Sequence, residues 1–252
     1  MILGISVDIS DCAKMQLLIK KYKHIIQHIQ IYLDDSPLSL AERTIMEFYD
    51  STVSYSLHAG GNINLANSND LATAILTIDM LSSIGGIFVN FHVGHFDLCN
   101  QSREAALHGS VEAIRKLCSY AHNKNVGIHI ENDIRSSDGL ERLGTNLPDW
   151  SSIFQIDQEN FHMCYDVGHA CISFGDAFVF QQIMPKIASF HIHNNDGVND
   201  LHIPFGSCGI IPLDKILSEL KCSNKFVILE NSPSGYDGAL QSLSTLGKRE
   251  VT

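Results

Sequence analysis

Side chains that can bind a metal ion stand at the carboxyl ends of six apolar segments of this 252-residue chain. The segments read SLH, FVNFH, GIHIE, FHMCYD, ASFH and FVILE, and each ends on a histidine, an aspartate or a glutamate. Two short motifs, DVGH and NDLH, add three residues of the same types. The candidate ligands are His58, His92, Glu131, Asp166, His169, His191, Asp200, His202 and Glu230.

These residue types indicate the chemistry of a bound divalent cation. Imidazole nitrogens and carboxylate oxygens are the usual ligands of zinc, manganese and iron(II) where no thiolate takes part. The seven cysteines include no CxxC pair, so the sequence does not indicate a thiolate zinc site. Nine candidates exceed the needs of one ion. We therefore expect two or three divalent ions per chain, zinc first, with manganese or iron as alternatives.

A single histidine or carboxylate at such a position is more often a hydrogen-bonded or solvated residue than a ligand. The set is informative because nine such residues fall at equivalent places. His95 and His193 lie close to the same ends, and we expect them to contact the ligands or the substrate. His28, His129 and His162 lie deeper in their segments and are expected to be structural.

Short β-rich apolar segments alternate with segments of helical spacing, and this alternation defines the elements that must position the candidates. The predicted strands are Ile2–Val7, Ile25–Leu33, Val53–His58, Gly86–His92, Val126–Glu131, Phe161–Asp166, Ile187–His193 and Lys225–Glu230. The predicted helices are Ala13–Tyr22, Leu38–Tyr49, Asp70–Ile84, Arg103–Asn123, Gly139–Leu147, Asp176–Met184, Leu213–Leu220 and Gly235–Leu246.

This alternation predicts an α/β protein and a single (β/α)8 TIM barrel domain over residues 1–252. The alternative is an open doubly wound sheet, but the segment ISVDIS lacks the glycine-rich phosphate turn expected after its first strand. In a barrel the carboxyl ends of all strands open onto one face, where the active sites of this fold lie. The nine candidates are therefore expected to share one cavity.

The composition limits which classes of partner and which cellular compartment we expect for this chain. The formal net charge of −11 disfavours a broad electrostatic contact with nucleic acid, so a small-molecule substrate is expected. No apolar run reaches the roughly 18–20 residues of a membrane span, and the start MILGISVDISD lacks the basic segment of a signal peptide. Scattered, odd-numbered cysteines indicate free thiols in a reducing compartment, which predicts a cytoplasmic protein. The oligomeric state stays open.

Motifs between Val53 and Pro233 resemble the xylose-isomerase-like barrels, which include endonuclease IV-type apurinic endonucleases (AP endonuclease family 2) and sugar isomerases and epimerases. These motifs are SLHAGGNINLAN, VNFHVGH, IHIEND, YDVGHA, HIHNNDGVNDLHIPFG and ILENSP. The resemblance implies three metal ions, two of them bridged by Glu131. It assigns the remaining ligands in three groups: His58 with His92; Asp166, His191 and Glu230; and His169, Asp200 and His202.

Members of the superfamily that are isomerases typically keep a single-ion set, which here is Glu131, Asp166, His191 and Glu230. Two features depart from the endonuclease pattern. The segment ILGISVD lacks the histidine of the endonucleases' first strand, and the segment YLDDSPLSLAER is acidic where they carry basic and aromatic residues. We therefore expect weak or absent cleavage of abasic DNA, because phosphate contacts dominate affinity for nucleic acid.

Two functions compete on these residues. The first hypothesis is a di- or trinuclear metallohydrolase of the endonuclease IV-like phosphoesterase type, which attacks a small phosphorylated or anionic substrate with metal-bound water. Five ligands beyond the single-ion set favour it. The alternative is a metal-dependent isomerase or epimerase of a sugar, sugar phosphate or keto acid. Glu131 and Glu230 would then be the acid/base pair, and His169 would bind substrate oxygens. An iron-dependent redox enzyme and a non-catalytic barrel rank lower.

Overall fold

The predicted barrel is confirmed in a computed structural model, which describes residues 1–34, 42–43, 45–46, 50–135, 139–204, 208–231 and 234–246. Eight parallel strands close in the order β1-β10-β9-β8-β6-β4-β3-β2, and β5 and β7 form a separate antiparallel ribbon. The strands are β1 (Ile2–Asp8), β2 (His28–Tyr32), β3 (Ser54–His58), β4 (Phe88–His92), β5 (His95–Phe96), β6 (Gly127–Glu131), β7 (Glu141–Arg142), β8 (Phe161–Asp166), β9 (Ile187–Ile192) and β10 (Phe226–Leu229).

Helices follow most of the barrel strands. Short 3-10 turns cover Ile9–Asp11, Ser68–Asp70 and Met184–Lys186. Most of the predicted helix Leu38–Tyr49 lies outside the described residues. The described helices are α1 (Cys12–Tyr22), α2 (Leu71–Ser83), α3 (Arg103–His122), α4 (Leu147–Ile153), α5 (Val167–Phe174), α6 (Phe180–Ile183), α7 (Leu213–Leu220) and α8 (Tyr236–Leu246).

The predicted helix Gly139–Leu147 is wrong. This segment forms β7 and a turn at Gly144, whose φ of +77° is unfavourable for other residues. Helix α4 begins only at Leu147, because the side chain of Asn146 accepts a hydrogen bond from the backbone N–H of Asp149 at 3.0 Å and caps the helix. Helical spacing across the segment was a weaker signal than this cap.

The predicted helix Asp176–Met184 is also largely wrong, since only Phe180–Ile183 is α-helical. The helix expected there begins earlier, as α5, directly after β8. Asp166, the last residue of β8, caps it by accepting a hydrogen bond from the backbone N–H of His169 at 2.6 Å. Gly175 ends it in the left-handed conformation with a φ of +71°. A candidate ligand is therefore also the N-cap that orients the following histidine.

The carboxyl ends of the barrel strands form the mouth of the barrel. Deeper in the interior lies a layer of aromatic and imidazole rings. Phe88 stacks on His129 with ring centroids 3.8 Å apart and also contacts His28 and Phe226. The two ring nitrogens of His28 each lie 2.8 Å from a serine hydroxyl, one of them that of Ser56. Burial lowers the pKa of His28 to about 3, so this ring is neutral. The layer is a floor beneath the candidate site.

Two expectations from composition can be compared with the structure. All seven cysteines are free thiols, as their scattered positions predict. Within the described part of the chain, no helix combines the length and the apolar character needed to cross a membrane.

Candidate metal centre

Strand register brings the predicted ligands to one end of the barrel. His92 pairs with Glu131 across β4 and β6, and Asp166 pairs with His191 across β8 and β9. Glu230 follows β10 directly, where its backbone N–H donates to the carbonyl of Ile192 at 3.1 Å. A cavity of about 610 Å³ opens at this end, and seven of the nine candidates line it, all except the fully buried Asp166 and His191.

The first group lies around one oxygen of Glu131. His58 Nε2 lies 3.1 Å from Glu131 Oε2, and the amide of Asn90 donates to the same oxygen. His92 belongs to the same cluster of potential ligand atoms, all within 4.8 Å of one another. The structure therefore brings together the residues assigned to the first ion.

The second group surrounds His191, which is fully buried. Its Nδ1 lies 3.1 Å from Glu131 Oε1, 3.3 Å from Glu230 Oε1 and 4.0 Å from Asp166 Oδ2. The potential ligand atoms of these four residues all lie within 4.8 Å of one another. Glu131 and Glu230 thus face one another across the same point, as the barrel hypothesis requires.

The third group contains His169, Asp200 and His202, together with His193. Asp200 Oδ2 lies 3.3 Å from His169 Nε2 and 3.2 Å from His202 Nε2. His193 stacks on His202 with ring centroids 4.0 Å apart, and its Nε2 is 3.1 Å from both oxygens of Asp166. His193 therefore joins the second group to the third. Both histidines of the His-Ile-His sequence enter the barrel because side chains two residues apart in a strand share a face.

The donor set fits a cation, and the orientation of three imidazoles carries this conclusion. In His58 and His169, Nδ1 lies 2.9 Å from a backbone carbonyl oxygen, and in His202 it lies 3.4 Å from one. A carbonyl oxygen can only accept, so Nδ1 carries the hydrogen and the neutral ring turns the lone pair of Nε2 toward a carboxylate. Two acceptors 3.1–3.3 Å apart require a proton or a cation between them. Metal-binding histidines are oriented in this way.

Buried polar atoms support the same conclusion. Glu131 Oε1 and His191 Nδ1 are buried and lie 3.1 Å apart, yet they form no well-aligned hydrogen bond, and neither does His191 Nε2 with any described residue. Leaving such atoms without a partner is costly. Ligation of an ion by these atoms would satisfy them.

When no ion is bound, the electrostatics of the cluster favour ionised carboxylates beside protonated histidines. Burial acts to raise the pKa of Glu131, but His191 and His92 lower it well below its usual value. Burial acts to lower the pKa of His169, but Asp166 and Asp200 raise it well above 6.5. The pKa of His202 rises to about 9 for the same reason, through Asp200. Ligation of an ion requires the neutral imidazoles, so ion binding would release these protons.

Four further residues at the site were not predicted from the sequence. Asn90 binds Glu131, and Cys164 belongs to a cluster of potential ligand atoms with Glu131 and His191. Asp133 lies 3.3 Å from His92 Nδ1 and 3.6 Å from Arg142 Nη1. Asn90 and Asp133 stand two residues from a candidate ligand, a spacing that could have identified them. Arg142 has no such signal.

The chain belongs to the family described as xylose isomerase-like TIM barrel, whose model matches residues 23–246. No curated protein matches the chain. The family, and the fold it implies, thus agree with the resemblance carried by the strand-end motifs.

Solved structures of similar fold include several whose names contain the word epimerase. A D-tagatose 3-epimerase-like protein has a TM-score of 0.80 and 19% identity, with 100% of both chains covered. The E. coli 3-keto-D-glucoside 4-epimerase YcjR has a TM-score of 0.73 and 15% identity, covering 98% of this chain and 99% of its own. A Thermus thermophilus protein, TTHB071, soaked with ZnCl2, has a TM-score of 0.75 and 17% identity, covering 97% and 98%. At these identities the likeness establishes the fold alone.

Proposed function

We propose that this chain is a metal-dependent isomerase or epimerase of a hydroxy-carbonyl compound such as a sugar, with Glu131 and Glu230 as its acid/base pair. The observation that supports this proposal most is that both buried carboxylates approach His191 Nδ1. Glu131 Oε1 lies 3.1 Å from this nitrogen and Glu230 Oε1 lies 3.3 Å from it. Similar barrels that bear epimerase names support this function over hydrolysis.

Glu131, Asp166, His191 and Glu230 are the proposed ligands of the essential ion, with His193 adjoining them through Asp166. This nitrogen and oxygen donor set suits zinc, manganese or iron(II). When bound, a divalent ion polarises a carbonyl oxygen and so makes the neighbouring C–H more acidic.

The proton transfer is assigned to the glutamates because of how they are held. Asn90 and His58 hold Glu131 Oε2, which leaves Oε1 as the oxygen that can ligate the ion or take up a proton. His191 and His92 hold the pKa of Glu131 well below its usual value against the effect of burial, so the carboxylate is ionised near neutral pH, as a proton acceptor must be. Glu230, whose Oε1 lies 3.3 Å from the same nitrogen of His191, returns the proton on the opposite face of the substrate. His169 binds a substrate hydroxyl or carbonyl oxygen.

A di- or trinuclear metallohydrolase is the second candidate, and the additional ligand clusters favour it. His58 with His92, and His169 with Asp200 and His202, form groups beyond the single-ion set. The cytoplasmic location, the small-molecule substrate and the lack of activity on abasic DNA are retained as proposals. The acidic segment on which the last one depends is only partly within the described residues.

Hydrogen exchange with solvent tests the proposal directly. The metal-loaded protein is incubated in D2O with a panel of ketoses and aldoses, and NMR follows deuterium entry at the carbon beside the carbonyl. We expect exchange or epimerisation of at least one sugar. Glu131→Gln and Glu230→Gln should each reduce it by about 100- to 10,000-fold, since they remove a positioned acid/base. Glu104→Gln, at the start of α3, is the matched control and should not change it.

The same preparation is offered phosphate monoesters and diesters. Turnover of an ester together with no deuterium entry into any sugar would overturn the epimerase proposal and support the hydrolase.

A further inference from the structure

The two sides of the cavity mouth differ in charge. Asp8 ends β1 and Asp11 follows it, and both line the cavity. Arg142 lines it from β7, which follows β6 in the chain. In the closed strand order, β6 is four strands from β1 in either direction. The end of β6 is therefore across the barrel from the end of β1. Over the mouth, the permanent cation Arg142, which stands beside Asp133, faces Asp8 and the Lys14-paired Asp11.

The backbone of Arg142 is held firmly. Arg142 pairs with His95 in the β5–β7 ribbon, and Arg103 Nη2 donates to its carbonyl oxygen at 3.1 Å. The N–H of Leu143 donates to the carbonyl of Gly94 at 2.8 Å. The guanidinium thus projects from a braced ribbon, and 31% of the side chain is exposed. The backbone that carries this guanidinium therefore needs no reordering when a ligand binds.

A buried carboxylate connects this arginine to the metal cluster. Asp133 is 4% exposed, and its two oxygens face different partners, Oδ1 toward Arg142 Nη1 at 3.6 Å and Oδ2 toward His92 Nδ1 at 3.3 Å. Arg142 is therefore adjacent to a candidate ligand. Among the described residues that line the cavity, it is also the sole lysine or arginine.

We propose that Arg142 binds an anionic oxygen group, a carboxylate or a phosphate, carried by the substrate. The substrate class is then an acidic or phosphorylated sugar whose hydroxyl end faces Asp8 and Asp11 and whose anion faces Arg142. Arginine presents several N–H donors that match such groups, whereas the β1 side would repel them. This inference rests on the proposed function for its sugar component, and the binding of the anion stands independently.

Calorimetric binding to the metal-loaded protein tests the inference with three matched probes: D-fructose, D-fructose 6-phosphate and 2-keto-D-gluconate. We expect at least one charged probe to bind more tightly than fructose. Arg142→Met should weaken that probe by about 10- to 100-fold, the size of a charge-assisted hydrogen bond, and change fructose less than twofold. The probe that loses affinity identifies phosphate or carboxylate as the group.

Two further variants serve as controls for this experiment. Arg142→Lys keeps the charge and should retain part of the preference, which a merely structural role of the arginine would not predict. Arg115→Met, on α3 and paired with Glu112, should leave all affinities unchanged. The inference is overturned if neither charged probe binds more tightly than fructose, or if Arg142→Met leaves the preference intact. Absent deuterium exchange with an intact anion preference would instead reject the proposed function alone.

Discussion

Histidines occupy two levels of this barrel, and in the metal-free protein their surroundings shift the imidazole pKa in opposite directions. At the mouth, burial acts to lower the pKa of His169 and His191, but neighbouring acidic groups raise both well above 6.5. At the floor, His28 and His129 form hydrogen bonds with serine hydroxyls and pack against phenyl rings, and burial lowers the pKa of both imidazoles. All four are buried. The comparison teaches that burial alone does not decide whether an imidazole carries charge, because the partner decides it.

The largest expected effect concerns the carboxylate at the centre of the mouth. Glu131→Gln should lower the free energy of unfolding of the metal-free protein by about 3 kcal/mol at pH 7, because it removes a carboxylate partner of the buried His191 imidazolium. Glu131 is 1% exposed and contacts His58, His191 and Asn90. Urea denaturation in the presence of a chelator measures the change. A loss below about 1 kcal/mol would show that the mouth is not held by charge pairing.

The second prediction concerns the floor and its pH dependence. His28 has a folded pKa of about 3 against 6.5 in the unfolded chain, so the unfolded state takes up its proton first as pH falls. Its stabilising contribution is complete above pH 6.5 and is lost progressively toward pH 3. Between pH 6 and pH 4, the parent protein should lose about 1.4 kcal/mol more unfolding free energy per pH unit than His28→Gln does.

Urea denaturation at a series of pH values measures this difference between variant and parent. His122→Gln, in the last turn of α3, is the control and should follow the parent protein. Equal slopes for His28→Gln and the parent would mean that His28 is protonated inside the barrel, which would remove the contrast between the two levels.

The smallest expected effect on stability belongs to the rim. The His202 side chain is 37% exposed, so His202→Ala should change the free energy of unfolding of the metal-free protein by less than about 1 kcal/mol. The φ of +47° at this position disfavours histidine and alanine alike, so backbone strain does not change. The ion count is the sensitive readout. Elemental analysis after zinc loading should find one ion fewer in the variant if the third cluster binds metal.

His108→Ala on α3 is the matched control for metal content. A single ion in the parent protein, unchanged in His202→Ala, would contradict the trinuclear assignment and leave only the single-ion set of the epimerase proposal.

Much of the fold and of the site could be predicted from local patterns. Apolar strand segments with candidate ligands at their ends, such as FVNFH and GIHIE, predict both the barrel and the face on which His92 and Glu131 meet. Two helices were predicted wrongly, in segments where a single capping residue outweighs the helical spacing of apolar residues. Asn146 starts a helix and Gly175 ends one, so the helices predicted over Gly139–Leu147 and Asp176–Met184 were misplaced.

By itself, the sequence determined the eight parallel strands and the end of the barrel at which His58, Asp166 and Glu230 stand, because both follow from short-range alternation. The sequence predicted that His193 contacts a ligand or the substrate, but only the tertiary structure decided that its partner is Asp166. Only the tertiary structure, too, decided that Arg142 reaches Asp133 beside His92. Such contacts join residues far apart in the chain or on irregular loops. Their positions depend on the closure of the whole barrel, and no repeating pattern of nearby residues records them.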